Sequence, residues 1–322
     1  MSDAVGVLVS WTGGVLRVRR KDGTVAAIAE ESLVAGKVVP QRGAAQRTHA
    51  ATGVRDLEEV AALGWRGTET EWLGGHGGGW LLRAAGGWTG RANSVLPLGD
   101  PGVPADEAIV TVRGWYAARG LTPRFQIPLP PADGLDAVLA GLGWTAPDEV
   151  GGVLVMTADV DDVLTGAPER ALPPVPLPPV LLNPTPGPGW LATYRYRGGP
   201  LPEGALAVLL HADAPVFAEV VEGGATLAVG RASVDGAWVG ITAMDTARAA
   251  RRRGLGGAVL RALVEHGRQA GARHVYLQVS AANLPAIGLY ASLGLSVHHR
   301  YHYRVAPAGE AQPGETQPGE AT

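Results

Sequence analysis

Three arginines and three glycines, in the order Arg251-Arg252-Arg253-Gly254-Leu255-Gly256-Gly257, stand immediately before a run with the spacing of an amphipathic helix. That combination suits the holding of a phosphorylated ligand. Gly254 and Gly256 remove Cβ where a pyrophosphate must approach backbone. The first N–H groups of a helix have no intrahelical partner and point at the anion, and the arginines add charge-assisted donors. Behind the turn, Leu255, Val259, Leu260, Leu263 and Val264 recur at helical spacing, Arg261, Glu265 and Arg268 share the opposite face, and Gly271 supplies the stop. The commoner phosphate loops are not matched, since there is no GxxxxGK[ST] and no third glycine completes GxGxxG.

Downstream, His274 to Val279 reads as a short strand. Asn283-Leu284-Pro285 then opens a helix whose one face carries Ala286, Leu289, Tyr290 and Leu293 before Gly294 ends it. Arg251-x-x-Gly254-x-Gly256 resembles the acetyl-CoA signature of the GNAT N-acetyltransferases, Q/R-x-x-G-x-G/A. The later run Asn283-x-x-Ala286-x-x-x-Tyr290-x-x-x-Gly294 matches that family at the expected distance. The resemblance implies acetyl-CoA as acetyl donor, wedged between a strand ending at Met244-Asp245-Thr246 and the strand at Val275 to Val279. Backbone at Met244, Asp245 and Thr246 would pair with the pantetheine amides. Arg251, Arg252, Arg253, Gly254, Leu255, Gly256 and Gly257 would hold the pyrophosphate, with Asn283 also at the cofactor site. Tyr290 would be the acid for the departing thiolate; read without the family, it fits a packed aromatic on an apolar helix face equally well.

Acetyl transfer also needs an uncharged amine, donors for a developing oxyanion and a route for the amine proton. Related enzymes often carry Glu on the fourth strand, but Trp238 to Ala243 offers no carboxylate and Asp235 sits in a turn. Glu219 on a neighbouring strand is one candidate, against a solvated strand residue; proton loss through water is another, since an α-amine is partly neutral at mildly alkaline pH. For the carboxylates of an acidic amino-acid substrate, Arg83, Arg91 and Arg124 are candidate partners, with Asn93 as a polar anchor and a surface ion pair as the plainer reading of each arginine. His298, His299 and His302 do not make a metal site: on a strand 298 and 302 share one face and 299 the other. No metal is expected.

The elements that must position these residues fit within 322 residues, enough for two domains and a small third. Hydrophobic content of 46%, charged content of 18% and a net charge of −3 describe a globular chain with a sizeable core and no global field for nucleic acid or anionic membrane. The absence of cysteine excludes disulfides, thiolate metal sites and a cysteine nucleophile. No leader-like N-terminus and no apolar run of about 18 residues is present, so a cytoplasmic protein is expected.

Val5 to Trp11, Val15 to Lys21 and Thr24 to Ile28 alternate and are separated by Gly13-Gly14 and Asp22-Gly23, giving hairpins; Lys37 to Val39 is a further candidate strand. Residues 1–45 therefore read as a small SH3-like β-barrel module, either a packing appendage or a docking site for a protein partner. From Arg55 a helix leads to Trp65, and Glu71 to Leu73, Trp80 to Ala84 and Arg91 to Leu98 read as strands. Gly74 to Gly79 is a hairpin loop, because a strand and not a helix follows it. Glu107 to Arg119 and Leu135 to Leu142 are helical, with strands at Arg124 to Leu129 and Gly152 to Ala158. Nine prolines between Pro168 and Pro188 indicate an extended linker. Trp190 to Tyr196 and Gly204 to Leu210 are helical, Val216 to Val221, Thr226 to Val234 and Trp238 to Met244 are strands, and the tail from Pro307 repeats Gln-Pro-Gly-Glu and is expected to be disordered.

An internal repeat runs through this order. Ala118 to Ile127 matches Ala270 to Val279 in pattern, and each is followed by a helix closing in Leu142-Gly143-Trp144 or Leu293-Gly294-Leu295. The fold expected is α/β (α+β), with tandem GNAT-like mixed sheets flanked by helices behind the SH3-like module. Residues 53–165 form a degenerate unit, 166–189 a linker, 190–306 the catalytic unit and 307–322 a tail. The first unit has Gly99-Asp100-Pro101-Gly102 where the arginine-glycine turn belongs and no tyrosine in its last helix, so it is expected not to bind acetyl-CoA. The whole arrangement resembles an actinobacterial-type acetyltransferase family, some members of which are assigned as N-acetylglutamate synthases; the insertion at Gly75 to Gly79 departs from that pattern. The function expected is acetyl transfer to the amino group of a small molecule, glutamate or another amino acid among them. The alternatives are a peptide N-terminus, an aminoglycoside or a polyamine as acceptor, or a non-catalytic acetyl-CoA sensor or scaffold.

Overall fold

The computed structural model describes residues 7–19, 24–32, 49–76, 78–146, 151–166, 176–196 and 199–307. The chain forms two compact units, Met1–Gln46 and Arg47–Thr322. In the first, β1 (Val7–Thr12), β2 (Val15–Arg19) and β3 (Val25–Ala29) form an antiparallel sheet in that order, with Gly13 and Gly14 both at positive φ in the connecting turn. The strand expected at Lys37 to Val39 lies outside the described residues, as does the tail beyond residue 307.

The second unit runs α1 (Val54–Gly64), β4 (Glu69–Leu73), β5 (Trp80–Ala84), β6 (Leu96–Pro97), α2 (Ala105–Ala117), β7 (Arg124–Leu129), α3 (Asp133–Gly141), β8 (Val153–Asp159) and α4 (Val160–Thr165). It continues with β9 (Val180–Asn183), α5 (Pro188–Thr193), α6 (Ala205–Leu210), β10 (Val216–Glu222), β11 (Ala225–Asp235), β12 (Trp238–Thr246), α7 (Leu255–Gln269), β13 (His274–Ser280), α8 (Leu284–Ser292) and β14 (Ser296–Val305). No described helix is long and apolar enough to cross a membrane.

Eight strands form one sheet in the order β7-β14-β8-β13-β12-β11-β10-β9, and β4-β5-β6 form a smaller sheet. The two halves of the repeat exchange their last strands. β8 pairs with β13, His274 opposite Asp159 through Ser280 opposite Val153, while β14 pairs with β7, Arg300 opposite Leu129 through Val305 opposite Arg124. Only β12 and β13 run parallel within this sheet, which requires the crossover that α7 provides. Leu255, Val259, Leu260, Leu263 and Val264 of α7 are buried with Val239, Ile241, Val275 and Leu277 of the sheet. The first half has its own core, in which Phe125 meets Trp80 and Trp144 edge-on with centroids 5.2 Å away in each case.

The repeat extends to individual hydrogen bonds. Leu121 N–H donates to Tyr116 O after α2 and Ala272 N–H to Gly267 O after α7; Trp144 N–H donates to Leu139 O after α3 and Leu295 N–H to Tyr290 O after α8. Each helix ends through a glycine at positive φ, Gly120, Gly271, Gly143 and Gly294. Three stretches differ from the sequence expectation. Within Arg91 to Leu98 only Leu96–Pro97 is strand, because the Asn93 carboxamide closes a turn by accepting from Ala85 and Gly87 N–H and donating to Trp88 and Thr89 O. Val180–Asn183, inside the proline-rich stretch, is the edge strand of the large sheet, a position where neighbouring prolines cost no ladder bond. The short α4 had no periodic signal to reveal it.

Candidate active site

The parallel pairing of β12 with β13 covers only Trp238 opposite His274 through Ile241 opposite Leu277. Beyond it β12 continues to Thr246 with β11 as its partner, and the register shifts between Val229 and Arg231, with Ala243 at φ 51°. The two strands therefore diverge, and the gap opens on the α7 side into a cleft of about 760 Å³ lined by Met244, Asp245, Thr246, Arg251, Arg252, the first turn of α7, and Asn283, Ala286, Leu289 and Tyr290. Gly254, the N-cap of α7, sits at φ 88°, where a side chain would be strained. A Cβ on Gly256 would come within 3.3 Å of Leu289 Cδ2, narrowing the channel between α7 and α8.

Arg251 donates from Nε to Thr246 O at 3.2 Å and Arg252 is exposed at φ 66°, so both stand at the cleft mouth. Arg253 is held elsewhere by Glu222 through two bonds of 3.0 and 2.8 Å and does not line the cleft. Asp245 accepts from Thr246 and Arg195 N–H, which fixes the end of β12. Asn283 accepts from Ala286 N–H as the cap of α8. Tyr290 is buried, its hydroxyl makes no hydrogen bond within the described residues, and burial pushes the phenol up to about 12. It stays protonated at neutral pH and is available as a donor.

The remaining candidates are scattered. Arg83 is buried and donates to Ser94 O, Ser94 Oγ and Gln126 Oε1, and Asn93 is consumed in its own turn, so neither reaches the cleft. Arg124 lies over the Tyr303 ring at 5.5 Å. Glu219 on β10 accepts from Asn183 and Thr226. Arg91 alone comes to the strand divergence, donating to Gln278 Oε1 at 3.0 Å. Of the histidines, His298 and His299 meet through their Nδ1 atoms, His299 Nε2 faces Glu58 at 2.8 Å and His302 Nε2 faces Asp136 at 2.6 Å.

Gln278 and Tyr276 project from β13 on the face opposite Leu277, the α1 side of the sheet, where Trp65, Trp88 and Tyr194 are buried. Arg231 joins them there. It is fully buried, donates to Leu209 O, Gly64 O and Thr242 Oγ1, and leaves Nη2 without a partner. Arg91 and Arg231 place Cζ 5.1 and 5.3 Å from the Trp65 ring centroid. Arg231 was not singled out in the sequence, although an arginine inside the apolar run from Leu227 to Val234 was a visible signal.

In the first half the corresponding cleft is closed. α2 opens on Pro104 and carries Asp106 and Glu107 in its first turn, charges that repel a phosphate. The turn at residues 99–102 packs on the glycine-rich hairpin loop so tightly that a Cβ on Gly74 would lie 2.1 Å from Asp100 O. Beside it, β6 and β7 are joined only through the bridge of Val95 with Phe125.

Residues 51–304 match the family described as "Probable histone acetyltransferase Rv0428c C-terminal". A Mycobacterium tuberculosis protein named "Probable histone acetyltransferase Rv0428c" is 33% identical over 317 residues, which cover 96% of this chain and 89% of that protein. The "Uncharacterized N-acetyltransferase YobR" of Bacillus subtilis is 27% identical over 256 residues, 78% of this chain and 98% of the relative. Among solved structures, a GCN5-related N-acetyltransferase from Kribbella flavida shares the fold with a TM-score of 0.55 at 15% identity, covering 79% of this chain and 94% of that one.

Proposed function

The chain belongs to the Rv0428c-like family of GNAT-type N-acetyltransferases, an acyltransferase with acetyl-CoA as donor, and from that premise we propose that it acetylates the primary amine of a small molecule bearing a carboxylate, an amino acid such as glutamate. The reading divides the labour between 190–306, which carries the acetyl-CoA cleft, and 53–165, which supplies Arg91 and Trp65 to the acceptor side.

When bound, acetyl-CoA supplies an acetyl group activated as a thioester. Arg251, Arg252 and the unpaired N–H groups at the start of α7 would hold its diphosphate, for which the left-handed Gly254 and the small Gly256 leave room. Met244 to Thr246 present a strand edge that has no partner on the β13 side. Tyr290 donates its phenolic proton to the leaving sulfur, a role its upward-shifted pKa permits across the neutral range.

The observation that carries the acceptor class is the pair Arg91 and Arg231. Both stand on the far side of the strand divergence, and no carboxylate among the described residues pairs with either. A guanidinium held partly or wholly from water without an ion pair is costly; Asp235 acts on Arg231 only through space, and a substrate carboxylate would supply the partner that the part-buried Arg91 lacks. The name of the mycobacterial relative favours a second reading, a lysine of a basic protein, which two such cations disfavour.

Thiol release from acetyl-CoA, followed across amino acids, polyamines, aminoglycosides and basic peptides, tests the proposal. The highest kcat/KM is expected for an amino acid, and Arg91→Gln is expected to raise that acceptor's KM by roughly 10-fold or more while leaving the KM for acetyl-CoA unchanged. Preference for a basic peptide with an indifferent Arg91→Gln variant overturns it.

A further inference from the structure

Among the described residues, one carboxylate lines the cleft between the diverging strands, that of Asp245 on β12. An irregularity in the strand sets its direction. Trp238, Gly240 and Thr242 lie opposite Asp235, Ser233 and Arg231, on the face that carries the Arg231 side chain. Unbroken alternation would bring Met244 to that face and turn Asp245 toward α7. From Thr242 opposite Arg231 to Asp245 opposite Val229, however, β12 advances three residues while β11 advances two, and Ala243 within that step stands at φ 51°. This is a β-bulge, and it shifts the phase of the strand by one residue. The side chains beyond it show the result. A Cβ on Gly230 would lie 2.6 Å from Met244 Sδ and 2.8 Å from Val259 Cγ1 of α7, so Met244 is on the α7 side. Val229, the cross-strand partner of Asp245, is buried with Trp65, Trp88, Tyr194 and Ala243 on the other.

Asp245 therefore faces the same side of the sheet as Arg91 and also borders the cleft that Tyr290 lines. Its oxygens accept from backbone alone, Oδ1 from Thr246 N–H at 2.7 Å and Oδ2 from Arg195 N–H at 3.0 Å, and no cation among the described residues forms an ion pair with it. A carboxylate has about four lone-pair sites, so these two bonds fix its place and leave it able to accept from a further donor. The group is part-exposed. Tyr194, next to Arg195, ties it to the acceptor side: burial pushes that phenol up to about 12, with Arg91 acting to lower it and Asp245 to raise it. One phenol thus feels both the acceptor-side cation and the cleft carboxylate.

We propose that Asp245 receives the acceptor's amino group and takes the proton that the nitrogen sheds, while Arg91 holds the carboxylate of the same molecule. The proposal rests on the acetyltransferase reading above and supplies the proton acceptor that the stretch Trp238 to Ala243 lacks. The neutral amine donates an N–H to the Asp245 carboxylate, which leaves the nitrogen lone pair free for the thioester carbon. The nitrogen forms the new N–C bond as the C–S bond breaks, and the sulfur takes the Tyr290 proton. Bond formation makes the nitrogen cationic and acidic, and its surplus proton passes to Asp245. Asp245, part-exposed at the cleft, releases that proton to solvent and the Tyr290 phenolate regains one, so the cycle closes. An amino acid offers both groups that this pair of residues requires, an amine for Asp245 and a carboxylate for Arg91, whereas a polyamine offers only the first.

The test pairs turnover with cofactor binding and with chemical rescue. Asp245→Asn, checked for folding by thermal melt, is expected to lower kcat with an amino-acid acceptor by roughly 100-fold while calorimetry finds acetyl-CoA affinity within about 3-fold of wild type. Asp245→Ala leaves space where the carboxylate stood, and added formate is expected to restore its turnover by roughly 10-fold with saturation, a response that a merely structural loss would not give. An Asp245→Asn kcat within about 3-fold of wild type, a loss of turnover matched by an equal loss of acetyl-CoA affinity, or an Asp245→Ala defect that formate leaves unchanged overturns the role of Asp245 alone. A wild-type protein that acetylates no amine overturns the acetyltransferase reading along with it.

Discussion

The helix that opens the cleft proposed for acetyl-CoA and its counterpart in the first half share a frame and differ at their ends. α7 and α2 stop through the same glycine geometry, and the helices that follow close on hydrogen bonds to Tyr290 O and to Leu139 O. At the opening of α7 stand a left-handed glycine, two arginines at the cleft and a strand edge that has left its neighbour. At the opening of α2 stand a proline, two carboxylates and a turn pressed onto the hairpin loop. A handful of positions at helix ends thus decides which half has a site, while the frame that both halves keep has another use. Each half gives its last strand to the other, so the first half supplies β8 beside β13 and places Trp65 and Arg91 on the side proposed for the acceptor.

The contrast breaks most sharply at the tyrosine that has no equivalent. Tyr290→Phe is expected to lower kcat by roughly 10²–10⁴-fold with acetyl-CoA affinity unchanged, whereas the volume-conserving Leu139→Met should leave turnover as it is. Steady-state assays beside calorimetric binding decide this, and equal effects from both would dissolve the asymmetry. A smaller effect sharpens the comparison of the helix openings. Arg251→Ala should weaken acetyl-CoA binding by roughly 10- to 100-fold, the worth of a charged hydrogen bond, while Asp106→Ala at the start of α2 should not change it. Calorimetry in which the two variants bind alike would count against a single site.

The smallest expected effect concerns the strand exchange. Arg304 and His302 of β14 reach across to Asp136 of α3, and the Arg304 hydrogen bond holds that carboxyl below its ordinary 3.8. A carboxyl whose folded pKa is depressed stabilises the fold above the unfolded value and loses that contribution as pH falls through the folded one. Asp136→Asn should therefore cost on the order of 1 kcal/mol at neutral pH, with the gap from wild type closing as pH drops below about 3.8. Urea unfolding at stepped pH measures it, and a gap independent of pH would remove the ion pair from the account.

Local pattern carried far into this chain. Gly254 and Gly256 before a helical stripe, Asn283 at a helix cap, and the paired Gly120/Gly271 and Gly143/Gly294 stops are decided within a few residues, so they are readable where they stand. Arg83, Arg91, Arg124 and Asn93 looked alike as polar residues of one stretch, and only packing separates them. Asn93 closes a turn, Arg83 is spent inside the core, and Arg91 reaches Gln278, 187 positions away in sequence. Asp235 read as a turn residue because its burial comes from α1, which is far along the chain. The sequence by itself determined the repeated elements, the glycine turn that opens α7 and the place of Tyr290 on one face of α8, since backbone geometry and helix periodicity are short-range. The tertiary structure alone decided the strand exchange, the closure of the first cleft and the gathering of Arg91, Arg231, Tyr276 and Asp235 on one face, because pairing register and burial depend on contacts between residues that no local pattern relates.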